Sequence, residues 1–122
     1  MAEIDFIVDT DVLIGAWRGD QDIRSELNKF AVGIDTVAKL EFLQGANKKQ
    51  FEDAVAFVNR FEFIPFSPKV SFQAETLIIE FAHRKGLRMG DALVASCALV
   101  EGIPLYTLNR RHFDFIDRLN LI

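Results

Sequence analysis

Ile4-Asp5-Phe6-Ile7-Val8-Asp9-Thr10-Asp11 decides the fold. The part up to Val8 is short, β-prone and mostly apolar, and it stops at a polar trio. That pattern reads as a strand buried on both faces and ended by a turn. Val12, Leu13, Ile14 and Ala16 follow closely enough to start a short helix right after the turn.

Outward from this stretch the same alternation repeats. Gly19-Asp20 punctuates, and Asp20 caps a second helix reaching Phe30. Ala31 to Ile34 is a second strand, after which Asp35-Thr36 provides the N-cap of a helix ending at Gly45. Phe51, Val55, Val58 and Phe61 recur at helical spacing, and Phe63-Ile64-Pro65-Phe66 is a third, short strand whose proline favours its end or an edge. Ser67-Pro68 reads as a cap followed by proline in the first turn of a helix that Gly86 closes. A further helix runs from Asp91 through Val100 and is ended by Gly102 and Pro104. Leu105-Tyr106-Thr107 is the fourth strand, a short helix is expected around His112 to Leu119, and Leu121-Ile122 is a candidate last strand. Strands alternating with helices imply βαβ units, hence an α/β domain with a mainly parallel sheet of four to five strands covered on both faces. No linker or repeat interrupts the chain, so residues 1–122 are expected to form one domain.

Composition removes several functional classes. Of the 122 residues 50% are hydrophobic, which excludes a disordered chain. The 12 Phe against one Trp and one Tyr read as core filler. A net charge of -4 argues against a general DNA coater, so any nucleic-acid contact must be local. Lys48-Lys49, Arg84-Lys85, Arg110-Arg111 and Arg88 read as solvated helix ends. Cys97, alone and set in an apolar run, reads as a buried inert thiol. Glu3 and Asp5 stand where a secretory signal needs positive charge, and no apolar run approaches the roughly 20 residues that span a bilayer, so a cytoplasmic protein is expected.

In an open parallel sheet, ligands bind beyond the carboxyl ends of the strands. Asp9 ends the first strand and Asn109 follows the fourth, while Asp91 opens a helix whose positive end favours an anion. Glu41 interrupts the run Val37-Ala38-Lys39-Leu40-Glu41-Phe42-Leu43, where a buried carboxylate is costly without a partner. A cation shared with other carboxylates is an economical one. Taken singly, each acid has an ordinary role as turn former, wet-face residue or cap. Three of them converging on one sheet edge fit such accidents poorly. Hard carboxylate oxygens without a Cys or His cluster favour Mg²⁺ or Mn²⁺ over Zn²⁺. Such an ion can activate water against a phosphodiester, which is the chemistry of a hydrolytic nuclease.

Four segments also carry a family resemblance. Ile7-Val8-Asp9-Thr10-Asp11-Val12-Leu13-Ile14 resembles the opening motif of PIN-domain proteins, and Leu40-Glu41-Phe42-Leu43-Gln44-Gly45, Gly90-Asp91-Ala92-Leu93-Val94-Ala95 and Leu105-Tyr106-Thr107-Leu108-Asn109-Arg110-Arg111-His112-Phe113 continue it. In order and spacing the chain is most similar to the VapC-type toxins of toxin-antitoxin pairs. The resemblance implies a three-layer α/β/α fold, an Mg²⁺- or Mn²⁺-dependent endoribonuclease acting on RNA, a homodimer and a small cognate antitoxin. It assigns Asp9, Glu41 and Asp91 as metal ligands and Asn109 as the fourth catalytic position, which is acidic in many members. Asp11 replaces a frequent Asn or Ser, so it adds charge to the site or faces a backbone amide. His112 or Asp114 could stand in for the missing fourth acid, though His112 beside Phe113 fits a structural partner better.

Two other readings compete. A strand ending in Asp-x-Asp also opens the haloacid-dehalogenase-type phosphatases, with Asp9 as nucleophile and Asp11 as general acid, but no second acid stands beside Asp91 as that family requires. Asn109 keeps open a catalytically weak PIN fold that serves as an RNA- or protein-binding module.

Overall fold

Strand β1 (Phe6–Val8) is buried along its whole length, and its side chains alternate between two hydrophobic clusters. Phe6 and Val8 face one cluster and Ile7 the other, as the period of two along a strand requires. This is a sheet with helices on both faces. The computed structural model describes residues 3–122. After β1 come α1 (Thr10–Trp17), α2 (Gln21–Lys29), β2 (Val32–Asp35), α3 (Thr36–Gly45), α4 (Phe51–Val58), β3 (Glu62–Ile64), α5 (Pro68–Lys85), α6 (Met89–Glu101) and β4 (Leu105–Tyr106).

The strands lie in the order β3-β2-β1-β4, and all three pairings are parallel. Leu121 extends the sheet by an isolated parallel bridge to Leu105. The chain therefore walks outward from β1 to β3 and returns to the other side of β1 as β4. That reversal makes a switch point between β1 and β4, where loops part and leave a crevice at the carboxyl ends. As expected, the proline-bounded β3 lies at an edge. One layer packs α5 and α6 against Ile7, Leu105 and Phe113. The opposite layer packs α1, α2 and α4 against Phe6, Val8 and Ile34.

Helix ends largely follow local chemistry. Asp20 accepts from the N–H groups of Asp22 and Ile23, and Gly86 and Gly102 end α5 and α6 in the left-handed conformation that costs glycine least. Two expectations are corrected. Ser67 precedes Pro68 as expected, but its buried hydroxyl makes no cap bond. The expected helix from His112 to Leu119 is instead one 3₁₀ turn, Arg110–His112, followed by turns. Phe113, Ile116 and Leu119 remain buried, and the N–H groups of Ile116 and Leu119 each bond the carbonyl three residues back. A three-residue apolar repeat fits such tight turns better than a 3.6-residue helix.

Asp35 is the costly cap. It is fully buried at the end of β2, Oδ1 accepts from the Ala38 N–H at 2.9 Å, and Oδ2 has no partner. Burial pushes its carboxyl up to about 6. The neutral form is favoured in the folded chain, so its contribution to stability is full below the unfolded value of 3.8 and is lost as pH rises through about 6. Urea titrations at pH 4 and pH 7.5 test this. The wild type should lose about 2 kcal/mol more over that interval than Asp35→Asn, which keeps the acceptor for Ala38 and cannot ionise. Equal losses would show that Asp35 does not titrate in this way.

Candidate active site

Asp9 follows β1 and caps α1, accepting from the Thr10 N–H at 2.9 Å. From the end of β4, the Thr107 hydroxyl donates to Asp9 Oδ2 at 3.0 Å, with Asp11 Oδ2 as a longer alternative at 3.4 Å. The same hydroxyl accepts the Asn109 N–H at 3.0 Å. Asp9 is thus clamped across the switch point by the two strands that form it. Burial, then the charge of Asp11, push its carboxyl up to about 6 despite those hydrogen bonds, and Asp91 adds to the repulsion.

Asp11, in the first turn of α1, faces β4 from the other side. It accepts from the Leu108 N–H at 3.2 Å and from the Asn109 side-chain amide at 3.0 Å. The extra charge that the sequence adds here therefore faces a backbone amide, and it ties the loop after β4 to α1. A general acid would need that carboxyl free, which disfavours the phosphatase assignment. Asn109 reaches the expected edge, but its amide is engaged with Asp11.

Asp91 lies in the first turn of α6, half-buried, with Oδ2 3.3 Å from His112 Nδ1. Burial raises its pKa while His112 opposes the rise, and Glu41 and Asp11 raise it further. Asp114 takes no side-chain part, and only its N–H bonds Arg110. Glu41 corrects the sequence argument. It is exposed, and Oε1 accepts from the Thr10 hydroxyl at 2.6 Å. Its apolar neighbours in sequence predict burial, but Leu40 beside it is itself 58% exposed. The buried carboxylates of this edge are Asp9 and Asp35.

Asp9, Asp11, Glu41 and Asp91 thus share one edge, where the neighbouring charges add to the raised proton affinity of Asp9 and Asp91, with His112 as the single ion-pair partner among the described residues. The donor set is all hard oxygen, which suits a divalent cation such as Mg²⁺ or Mn²⁺. As the side chains lie, hydrogen bonds from Thr10, Thr107 and His112 hold the carboxylates, and among the described residues no three acidic, His or Cys side chains stand close enough to grip an ion together. Sequence reasoning misses Thr10 and Thr107. Their only signal is position, one directly after Asp9 and one at the end of the strand returning beside it. Cys97 is buried, and its thiol is pushed up to about 12 by that burial, so it is inert as expected.

Because ionised Asp9 is held against burial and repulsion, Asp9→Asn should raise stability at pH 7.5 in EDTA by about 1 to 3 kcal/mol. The stabilisation should vanish as pH falls well below the unfolded value of 3.8, to about pH 2.5, where the wild-type carboxyl is neutral in both states. Thermal melts at the two pH values decide this, and a destabilised variant at pH 7.5 would contradict it.

The model of the PIN domain family matches residues 6–119. Ribonuclease VapC2 of Rickettsia felis is 28% identical, across 95% of both chains. Ribonuclease VapC1 of Methanocaldococcus jannaschii is 27% identical, over 98% of this chain and 86% of its own. Among solved structures, VapBC2 from Rickettsia felis, bound to a DNA fragment from its promoter, superimposes with a TM-score of 0.84 at 26% identity over 96% of each chain. DNA-bound VapBC from Salmonella typhimurium shares the fold, with a TM-score of 0.83 at 22% identity over 98% of each chain.

Proposed function

This chain belongs to the PIN-domain family, and from that premise we propose that it is a metal-dependent endoribonuclease and the toxin of a type II toxin-antitoxin pair. What carries the proposal is the acidic edge at the β1–β4 switch point, where Asp9, clamped by Thr10 and Thr107, lies with Asp11, Glu41 and Asp91. The two relatives named as VapC ribonucleases, matched along nearly their whole length, support the reaction class.

Asp9, Glu41 and Asp91 would hold the Mg²⁺ or Mn²⁺, with Asn109 at the fourth position. Bound there, the ion would make a bound water acidic and offset charge on the departing oxygen. The chain supplies the rest. Thr107 and the Thr10 N–H fix the Asp9 carboxylate, Thr10 orients Glu41, and Asp11 holds the loop carrying Asn109. His112 steadies Asp91.

The antitoxin would sit in a groove of about 440 Å³ lined by Trp17, Leu27, Phe57 and Phe61, with Arg24 and Arg60 on its walls. An apolar floor with cationic walls suits an acidic, amphipathic segment. A homodimer is supported by the exposed apolar side chains Phe72 and Ile79, seven residues apart on α5 and so on one face.

The test is cleavage of single-stranded RNA. Cleavage should need Mn²⁺ or Mg²⁺, fall to background in Asp9→Asn, and fall about 10- to 100-fold in Thr107→Val, which loses the hydroxyl behind the ligand. Cleavage that persists in EDTA, or in Asp9→Asn, would remove the metal role. Expression should arrest growth, and co-expression of a small neighbouring gene product should relieve it.

A further inference from the structure

At the mouth of the acidic edge, sharing Asp91 with it, lies a mainly cationic notch of about 100 Å³. It is lined by Lys85, Arg88 and Arg111, with Leu87 and His112 between them, and Asp91 forms the wall that it shares with the acidic edge. Three elements meet there. Lys85 is the last residue of α5, Arg88 stands directly before α6, and Arg111 lies in the 3₁₀ turn after β4. The left-handed Gly86 turns the chain sharply between the first two, and Leu87 is 6% exposed and anchors that turn in the core.

The cations have no internal reason to gather. The chain carries 18 Asp and Glu against 14 Lys and Arg, so acidic partners are plentiful. Yet among the described residues the one ion pair is His112 with Asp91, and none of the three notch side chains makes a hydrogen bond to the protein. Four other basic side chains are occupied: Lys39 and Arg84 lie over phenylalanine rings, Arg24 bonds the Ala16 carbonyl and Arg60 bonds Asn28. Arg88 also stands at the N-cap of α6 without a side-chain acceptor to offer, so the positive helix end adds to the field. Three cations around a small hollow whose one carboxylate, Asp91, is already paired with His112 call for an external anion. At about 30 Å³ per water, the hollow has room for one tetrahedral anion. Arginine is the side chain best shaped to grip a phosphate in two places.

We propose that the notch formed by Lys85, Arg88 and Arg111 seats a backbone phosphate of the RNA, adjacent to the phosphodiester presented to Asp9, Glu41 and Asp91. This rests on the ribonuclease function proposed above. It gives an acidic protein a way to hold a polyanion: the carboxylate edge repels the strand, and the notch beside it supplies the missing attraction. It also fixes a direction for the RNA, running from the β1–β4 edge past Asp91 towards the junction of α5 and α6.

The experiment measures anisotropy of a labelled single-stranded RNA across a salt series, with Ca²⁺ as the divalent ion. The double variant Arg88→Gln, Arg111→Gln alters two exposed side chains. It should bind roughly tenfold more weakly, with the slope of log affinity against log salt reduced by about 0.7, the value for one single-strand phosphate no longer neutralised. Lys29→Gln with Lys69→Gln removes the same charge from the end of α2 and the far end of α5, and should change the slope little. Equal slopes for the two double variants, or no binding by the unaltered chain, overturn the notch as an RNA seat. Equal slopes would leave the cations to an acidic protein segment instead. Cleavage of the same RNA by the unaltered chain with Mn²⁺ is scored separately. Cleavage with an unchanged notch variant rejects the notch alone, whereas no cleavage rejects the ribonuclease function whatever the notch binds.

Discussion

Strand β1 is hydrogen-bonded to parallel neighbours on both sides and buried on both faces, and everything at the site depends on that confinement. A strand enclosed in this way can admit polar groups only at its ends. Its carboxyl end opens at the point where the chain reverses direction across the sheet, between β1 and β4. Asp9 is therefore delivered into a crevice that is half protein and half water. Two parallel strands ending side by side also bring Thr107 against Asp9 across 98 positions of sequence. The hydroxyl of one strand end and the carboxylate of the other make the joint that defines the edge.

The carboxylates around this joint divide by what the fold asks of them. Asp11 faces donors almost entirely, so its charge is absorbed in tying α1 to the loop after β4. Asp35 is sealed at the foot of α3 with one oxygen unpartnered, and backbone N–H groups at the start of that helix, Ala38 foremost, only partly offset its burial. Asp9 and Asp91 are intermediate cases, partly desolvated and partly bonded, so their protons are held more tightly than in water without being sealed from it. Such groups cost stability in the absence of a cation. A fold that keeps them at a crevice trades stability for chemistry.

Charge is arranged on two scales. The chain is acidic overall, and its most acidic edge is where a polyanion would have to come. The cations beside that edge come from the ends of helices and turns, which read in sequence as unremarkable solvated basic pairs. Their significance lies in the mouth they share with Asp91 and in their lack of ion-pair or hydrogen-bond partners among the described residues.

Much of this is legible in the sequence. Elements alternate as strand and helix because apolar period and punctuation are local properties of the chain. Asp20 and Asp35 announce their helices because a cap acts within three residues. Even Asp9 and Asp91 can be assigned to the same edge, because parallel topology sends strand ends and helix starts to one side. Whatever depends on solvent exposure or on distant neighbours is not legible. Apolar neighbours in sequence suggest that Glu41 is buried, but a helix turns about 100° per residue and carries it into water. The apolar repeat through Phe113, Ile116 and Leu119 suggests a helix, but packing of three anchors chooses tight turns. By itself the sequence determined the order of elements, the fold class and the identity of the acids. Only the tertiary structure decided which acid is buried, which hydroxyl holds it and which cations stand unpaired beside it, because burial and pairing are set by residues that meet only after the sheet has closed.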